Sequence, residues 1–397
     1  MADLEACKSA AKAVIDRESA ALREVSLSIH SKPELNYEEH HAHAVLTDYL
    51  ETKGFHVKRR AYGMQTAFEA VAGSGQPRVA ILCEYDALPG IGHACGHNLI
   101  AISGLATGLA LKETLGEGHG TVVVLGSPAE EGGGGKIRLI EGGAFDGVDA
   151  AMMLHPTPHD AAYMNVLAID NIELEYHGKN AHAAAAPWEG VNALDAMILA
   201  FNAISAMRQQ ILPTDRVHGV ITNGGVKPNI IPDYTSASFY VRSKNHSDLE
   251  KLRKKIVGCM EGVAVSTGCT VTIKTPEGYR PYSDMIASDA LADAYTENAG
   301  SFGLRLPSKQ QVLSGTGGST DMGNVSYVVP SIHPVFGIPA KDGNHTPGFT
   351  DAAATPQAHE ATIRAAKALA MTALDVFFQP DLLKAARAEF AAHVRGR

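Results

Sequence analysis

The stretch EYDALPGIGHACGHN, Glu84 to Asn98, follows directly on the apolar run Val79-Ala80-Ile81-Leu82-Cys83. A short apolar run that opens into a polar, glycine-containing loop reads as a strand delivering side chains to its own C-terminal end. Cys95 and His97 are one residue apart, so on an extended loop both point the same way. A thiolate with an imidazole is a ligand pair suited to a transition metal. Two ligands do not complete a site, and the remainder must come from elsewhere in the chain.

Working outward, the residues from Leu99 to Leu115 are apolar, with Gly104 and Gly108 admitting close packing, and predict a buried helix behind His97. Thr121 to Leu125 is the next strand, and it runs into GSPAEEGGGGK, which sets Glu130 and Glu131 at a second strand end. A helix over Lys136–Glu141 precedes a third strand, Ala150 to His155, whose last residue is again a candidate ligand. Upstream lie helices over 3–30 and 38–53 and short strands at Phe55–Arg59 and Ala67–Ala72. The repeat of strand, polar tip and helix predicts an α/β sheet with ligands gathered on one edge.

After Val166 the pattern changes to period-two alternation, as in Asn171 to His177. Helices over 191–210 and 248–266 and strands at 217–222, 236–242 and 270–275 complete a β-α-β-β-α-β order, the split βαβ or ferredoxin-like unit. From Ser283 the α/β character resumes, with a helix at 287–300, strands near Tyr327–Val329 and Ile332–Phe336, and a last helical segment from Pro356 interrupted at Pro380. The plan is one α/β domain, residues 1–168 and 283–397, carrying an inserted domain at 169–282.

The bulk numbers bound the function class. At 397 residues the chain exceeds one ordinary core, and 45% hydrophobic with 19% charged residues is globular. A net charge of -9 with scattered lysines and arginines offers no stripe for nucleic acid, so a small-molecule or peptide substrate is expected. Five cysteines without framework spacing argue against a disulfide scaffold and for a reducing cytoplasm. The acid-containing, amphipathic first residues do not read as a secretory signal, and no window reaches membrane length without charge, so no membrane partner is expected.

The strand-end candidates are Cys95, His97, Glu130, Glu131 and His155, and His345 sits in a later loop, Asp342 to Pro347. Singly, each suits a capped or solvated group; their joint arrival at successive strand ends points to one site. GHACGHN, SPAEEGGGGK, the LHP ending in Pro156 and HGKNAHAAAAPWEGVNALDA closely resemble, over nearly the full length, the M20 family of dinuclear metallopeptidases and amidohydrolases, the aminoacylase and carboxypeptidase G group. YDALPGIGHACGHNLIA and HAAAAPWEG are nearest its aminobenzoyl-glutamate hydrolase and Xaa-Arg (β-alanyl-lysine) dipeptidase branch.

The resemblance implies a mixed-sheet, zinc-peptidase-like α/β catalytic domain with an inserted ferredoxin-like α+β dimerisation (lid) domain. It implies Cys95, His97, Glu131, His155 and His345 as ligands of two divalent ions, zinc or manganese with cobalt as a further option, and Glu130 as general base. It implies His182 as an oxyanion donor acting in trans within a homodimer, and Asn229 and Arg242 as contacts to the substrate carboxylate or carbonyl. Arg242 equally suits a solvated strand end. Asp86 is expected to orient His97 or a neighbouring ligand, the alternative being a turn cap before Pro89. Asn98 stands where HACGHD is the commoner wording, which reopens the question of what supports His97.

The function so implied is metal-dependent hydrolysis of the amide of a dipeptide or N-acyl amino acid, aminobenzoyl-glutamate being the alternative substrate class. Two other readings are kept. A non-catalytic dimeric binding protein would be expected to lose ligands, and a thiol hydrolase would use Cys95 beside His97 as a nucleophilic pair. The Gly132–Gly135 run lacks the Lys-Ser/Thr ending of a phosphate loop.

Overall fold

The amphipathic opening of the chain folds as α1 (Leu4–His30), burying Ala11, Ile15, Leu22 and Ile29 on one stripe. There follow α2 (His40–Thr52), β1 (His56–Arg59), β2 (Phe68–Ser74), β3 (Arg78–Glu84), α3 (His97–Thr114), β4 (Gly120–Ser127), α4 (Gly135–Glu141), β5 (Ala150–Met152) and β6 (His155–Thr157). The structure, a computed structural model, describes residues 4–395 except 117 and 316. It divides into two units, Met1–Asn165 with Met285–Arg397, and Val166–Asp284.

The second unit contains β7 (Ala168–His177), α5 (Ala193–Met207), β8 (Arg216–Asn223), β9 (Tyr234–Ser243), α6 (His246–Thr267) and β10 (Thr270–Lys274). Its strands form one antiparallel sheet in the order β10-β7-β9-β8, the ferredoxin-like arrangement. Alternation is the reason: Ile172, Leu174 and Tyr176 of β7 face inward while Glu173 and Glu175 face out. The inward face packs on Ala196, Met197 and Ala200 of α5 and Leu252, Ile256 and Met260 of α6.

The first unit resumes with α7 (Asp289–Gly300), α8 (Lys309–Leu313), α9 (Met322–Val325), β11 (Ser331–Ile332), β12 (Val335–Gly337), α10 (Pro347–Ala353), α11 (Pro356–Phe378) and α12 (Pro380–Arg395). Its main sheet has the order β1-β2-β4-β3-β5-β11 and is mixed: β1, β2 and β4 pair antiparallel, and β4, β3, β5 and β11 pair parallel. β3 is buried from Val79 to Glu84 because helices cover both faces of a central parallel strand, which explains an apolar run without alternation. Among the described residues, no helix is long and apolar enough to cross a membrane.

Several sequence expectations are corrected here. The strand expected to end in His155 stops at Met152, and His155 instead opens β6, which pairs parallel with β12. The strand expected over 332–336 is likewise cut at His333-Pro334 into β11 and β12, which belong to different sheets. At the second break His333-Pro334 removes a ladder donor where the chain changes sheets, whereas Pro156 lies inside β6, past the first break. Tyr327–Val329 is no strand: its amides bond back to Asn324 and Val325 as the tightened end of α9. The helix expected from Leu99 begins at His97.

α3 lies against β3 and β4 through its two glycines. A Cβ on Gly104 would stand 2.4 Å from Cys83 Sγ and 2.9 Å from the Leu82 carbonyl oxygen, and one on Gly108 would stand 2.5 Å from Val124 Cγ2. Alanine improves helix propensity by about 0.8–1 kcal/mol, but overpacking a close-packed contact costs about 1–3 kcal/mol. Gly104→Ala is therefore expected to lower stability, whereas Gly262→Ala in α6, where a Cβ meets nothing within 4 Å, raises it. Chemical denaturation of the two variants reads this; a stabilising Gly104→Ala contradicts the close contact.

Candidate metal centre

β3 ends at Glu84, and Asp86 follows after Tyr85, whose buried hydroxyl donates to the Thr66 carbonyl at 2.6 Å. The loop closes on itself through Leu88 and Gly92, then turns at Gly96 (φ +78°) into α3, so that His97 is the first residue of that helix. β4 ends at Ser127, and Ala129 (φ +57°) turns the chain into Glu130 and Glu131. His345 (φ +67°) donates its N–H to the Ala94 carbonyl at 2.8 Å, tying its loop to the cysteine loop. Two non-glycine residues in the left-handed region at one place are strain of the kind that persists at functional sites.

The side chains converge. Cys95 Sγ is 3.3 Å from His155 Nε2, and His345 Nε2 is 3.4 Å from Glu131 Oε2. His97 Nε2 lies 3.5 Å from Glu84 Oε2, 3.7 Å from Glu131 Oε1 and 3.9 Å from Glu130 Oε2. The second ring nitrogens set the tautomers. His155 Nδ1 is 2.8 Å from the Pro156 carbonyl, which only accepts, so Nδ1 carries the proton and Nε2 turns a lone pair toward Cys95. His97 Nδ1 is 2.9 Å from Asp86 Oδ1, and Asp86 Oδ2 accepts the Glu131 N–H at 2.9 Å. One carboxylate thus fixes both a helix-start imidazole and the glutamate turn.

The charges are lopsided. Glu84, Asp86, Glu130, Glu131 and Asp321 gather near the buried ammonium of Lys136: Lys136 Nζ donates to Glu84 Oε1 and, at 2.6 Å, to Asp321 Oδ1. Burial and then the charges of Glu84, Glu131 and Asp321 push Glu130 well above the usual carboxylate range. Burial and Glu131 raise the Cys95 thiol. Burial alone would lower His97, but Asp86 and Cys95 raise it well above an ordinary imidazole. Burial holds His155 down at about 4. Burial also opposes the charge on Glu131, which the hydrogen bond from His345 and the proximity of His97 keep below the usual range.

These residues fit divalent cations. Cys95 with His97 and His155, Cys95 with Glu131 and His345, and Glu84 with His97 and Glu130 each bring their donor atoms within 4.8 Å of one another. Donors bonded at about 2.0–2.3 Å to one tetrahedral ion stand about 3.3–3.8 Å apart, close to the spacing seen here. His97 Nε2, Glu131 Oε1 and Glu84 Oε2 are buried without a hydrogen-bond partner among the described residues, a condition rare unless an ion or water supplies the partner. Thiolate, imidazole and carboxylate together suit borderline ions such as zinc, manganese or cobalt.

The expected ligands Cys95, His97, Glu131, His155 and His345 are thus brought together, with Asp86 and Glu130 among them. The question raised by Asn98 has a geometric answer: its amide donates to Ser26 Oγ at 2.9 Å and the Ala353 carbonyl at 3.1 Å, away from His97, whose Nδ1 meets Asp86. In the second unit, His182 and Asn229 are neighbours, the Ala183 N–H donating to the Asn229 carbonyl and His182 bridging Ile230. His182 Nδ1 accepts from the Ala184 and Ala185 amides, so its proton sits on Nε2 and the exposed ring presents a donor. Arg242 is not with them: it lies eight residues along β9 from Tyr234, about 26 Å at about 3.3 Å per residue, its guanidinium over the Tyr240 ring.

Sequence reasoning passed over Glu84, Lys136, Asp321, Glu39 and His333. Glu39 accepts the Tyr37 and Ala129 amides, pinning the strained turn before Glu130. His333 is buried, its ring 5.7 Å from that of His155, with neither nitrogen hydrogen-bonded among the described residues. Its signal was available: Ile332-His333-Pro334 echoes Leu154-His155-Pro156.

Residues 169–267 match the family model described as a peptidase dimerisation domain. The chain is 48% identical to the Xaa-Arg dipeptidase of Mus musculus over 98% of this chain and 93% of that protein. It is 28% identical to one of the subunits of the p-aminobenzoyl-glutamate hydrolase of Escherichia coli, over 94% of this chain and 93% of the other. In fold it resembles a dinuclear metal-binding peptidase from Bacillus subtilis, with a TM-score of 0.71 at 20% identity over 91% of this chain and 99% of that one.

Because His97 and Cys95 hold protons above their ordinary ranges in the metal-free protein, cations must displace them. Affinity for a divalent ion is expected to rise at least tenfold between pH 6.5 and 8, with proton release on binding. Chelator competition at the two values measures it, and a pH-independent affinity contradicts ligation through these groups.

Proposed function

The chain belongs to the M20 peptidase family, a family of metal-dependent hydrolases, and within it we propose a dipeptidase that cleaves an amide bond on the N-terminal side of a basic residue. The observation that carries this substrate class is identity of 48% to an Xaa-Arg dipeptidase along essentially the whole chain. Two divalent ions, manganese or zinc, would be held by Cys95, His97, Glu131, His155 and His345. When bound, such ions polarise the scissile carbonyl and lower the pKa of the attacking water.

The chain's own residues do the remainder. Glu130, buried and readily protonated, takes the proton of the attacking water and passes it to the leaving amine, giving a carboxylate and a free amino acid. Asp86 holds the His97 ring and the Glu131 backbone in register, so the polar groups need no rearrangement as charge develops. His182, with its proton on Nε2, donates to the developing oxyanion of a second copy of the chain, and Asn229 beside it contacts the same group. Arg242, out of reach of the group that its own copy's His182 and Asn229 contact, is assigned to the carboxylate of a substrate other than theirs, which a planar fork matches.

A homodimer is supported by β8. It is the edge of its sheet, seven of its eight residues are exposed, and Val220 and Ile221 present apolar side chains there, with Ile198 and Leu199 of α5 also exposed. An exposed apolar edge strand is a template for pairing with another chain. All five cysteines are free thiols, which supports residence in a reducing cytoplasm.

Assay of dipeptides with C-terminal arginine or lysine, N-acyl amino acids and aminobenzoyl-glutamate, with each metal, tests the reading. Turnover of the basic dipeptides above the others is expected, and no hydrolysis of any amide overturns it. Glu130→Gln is expected to lose about 10²–10⁴-fold in kcat while keeping its metals. Loss of an oxyanion donor in His182→Ala costs about 10²–10³-fold. Mixing and re-forming dimers of these two variants restores activity, since one site then has both groups; no recovery contradicts action in trans.

A further inference from the structure

We propose that Glu84 is a sixth protein ligand of the metal centre, sharing an ion with His97, and that Lys136 is the residue positioning it. This rests on the metal reading above. Glu84 is the last residue of β3 and fully buried. Its Oε1 receives the Lys136 ammonium, and Lys136, also fully buried, is fixed in turn by Asp321, which takes Nζ on Oδ1 at 2.6 Å and the Lys136 N–H on Oδ2 at 2.8 Å. The carboxylate is therefore locked at one oxygen and has no freedom to turn.

Its other oxygen is where the account of Glu84 as a mere counter-ion fails. Oε2 is buried without a hydrogen-bond partner among the described residues, and it faces His97 Nε2 at 3.5 Å, an atom in the same condition. His97 has its Nδ1 committed to Asp86, so Nε2 is the nitrogen left to bind. Of the three carboxylate oxygens around that nitrogen, Glu84 Oε2 is nearest, ahead of Glu131 Oε1 at 3.7 Å and Glu130 Oε2 at 3.9 Å. A buried carboxylate oxygen and an imidazole nitrogen, neither hydrogen-bonded among the described residues and about one coordination edge apart, are placed as two ligands of one cation, and a proton on Nε2 pairs them when no cation does.

Two consequences distinguish this from the five-ligand centre. A carboxylate held by lysine on one side binds the ion through one oxygen, adding a hard donor and a negative charge at the His97 ion. That ion should then favour oxygen-preferring manganese over zinc more than the thiolate in the set would suggest. Lys136 acts through Glu84, keeping the carboxylate aimed when the ion leaves.

The test uses metal-free full-length protein and its Glu84→Gln and Glu84→Asp variants. Stoichiometry is read by elemental analysis after dialysis, manganese and zinc affinities by chelator competition, and cobalt loading by its visible spectrum, with thermal melting of the metal-free forms as a check on folding. Wild type is expected to hold two ions. Glu84→Gln should hold one of them 10- to 100-fold more weakly, with the larger loss for manganese, while the thiolate-to-cobalt band from Cys95 persists. Two ions at wild-type affinity in Glu84→Gln overturn the proposal even if the metal-free melting temperature falls, since that is the mark of a counter-ion alone. Should Glu84→Gln fail to fold, Glu84→Asp keeps a charge for Lys136 and is judged by the same criterion. A wild-type protein that binds no ion removes the metal reading, and this inference with it.

Discussion

Five carboxylates and a thiol are packed at one buried sheet edge against Lys136, and this excess of negative charge is the constraint around which the first unit is built. Most of these groups are buried, so the charge is met chiefly by protons or by cations. In the metal-free protein protons meet it. Glu130 and Cys95 are pushed up, His97 holds its proton far above the ordinary range, and Asp321 rises to about 6 under burial despite Lys136. Divalent ions at the same place would relieve the same repulsion.

The fold serves that concentration of charge. Parallel β3, β4 and β5 end side by side, so loops distant in sequence emerge together. α3 seats its glycines against β3 and β4, which brings His97 at its first turn close to the strand ends. Left-handed Ala129 and His345 are held in place by backbone hydrogen bonds to Glu39 and Ala94. The second unit is built on different physics, period-two alternation on one antiparallel sheet, and it presents an exposed apolar edge at β8 and an imidazole donor at His182.

Much of this was legible because the signals are local. A strand that opens into a loop carrying Cys95 and His97, or into Glu130 and Glu131, announces candidate site residues through hydrophobic runs that end in polar tips. The ferredoxin-like order follows from alternating strands interleaved with two helical runs. What escaped were partners fixed by tertiary packing: Lys136 meets Asp321 across 185 residues and Glu84 across 52, and a buried Lys in a glycine-rich run has no periodic signature. The partners of Asn98 were hidden for the same reason. Beside His97 in sequence, it turns the other way once the helix starts, toward Ser26 and Ala353. The division of 150–157 and 331–337 into strands of two sheets was hidden because short apolar runs carry no mark of which sheet they join.

The central claim is that two cations sit among these side chains. Crystals of the manganese-loaded protein, with diffraction recorded on either side of the manganese absorption edge, test it most directly. The account predicts two anomalous peaks within bonding distance of Cys95, His97, Glu131, His155 and His345, with Asp86 behind His97 and making no bond to either ion. No peak among these residues, or peaks confined to other parts of the chain, would contradict it.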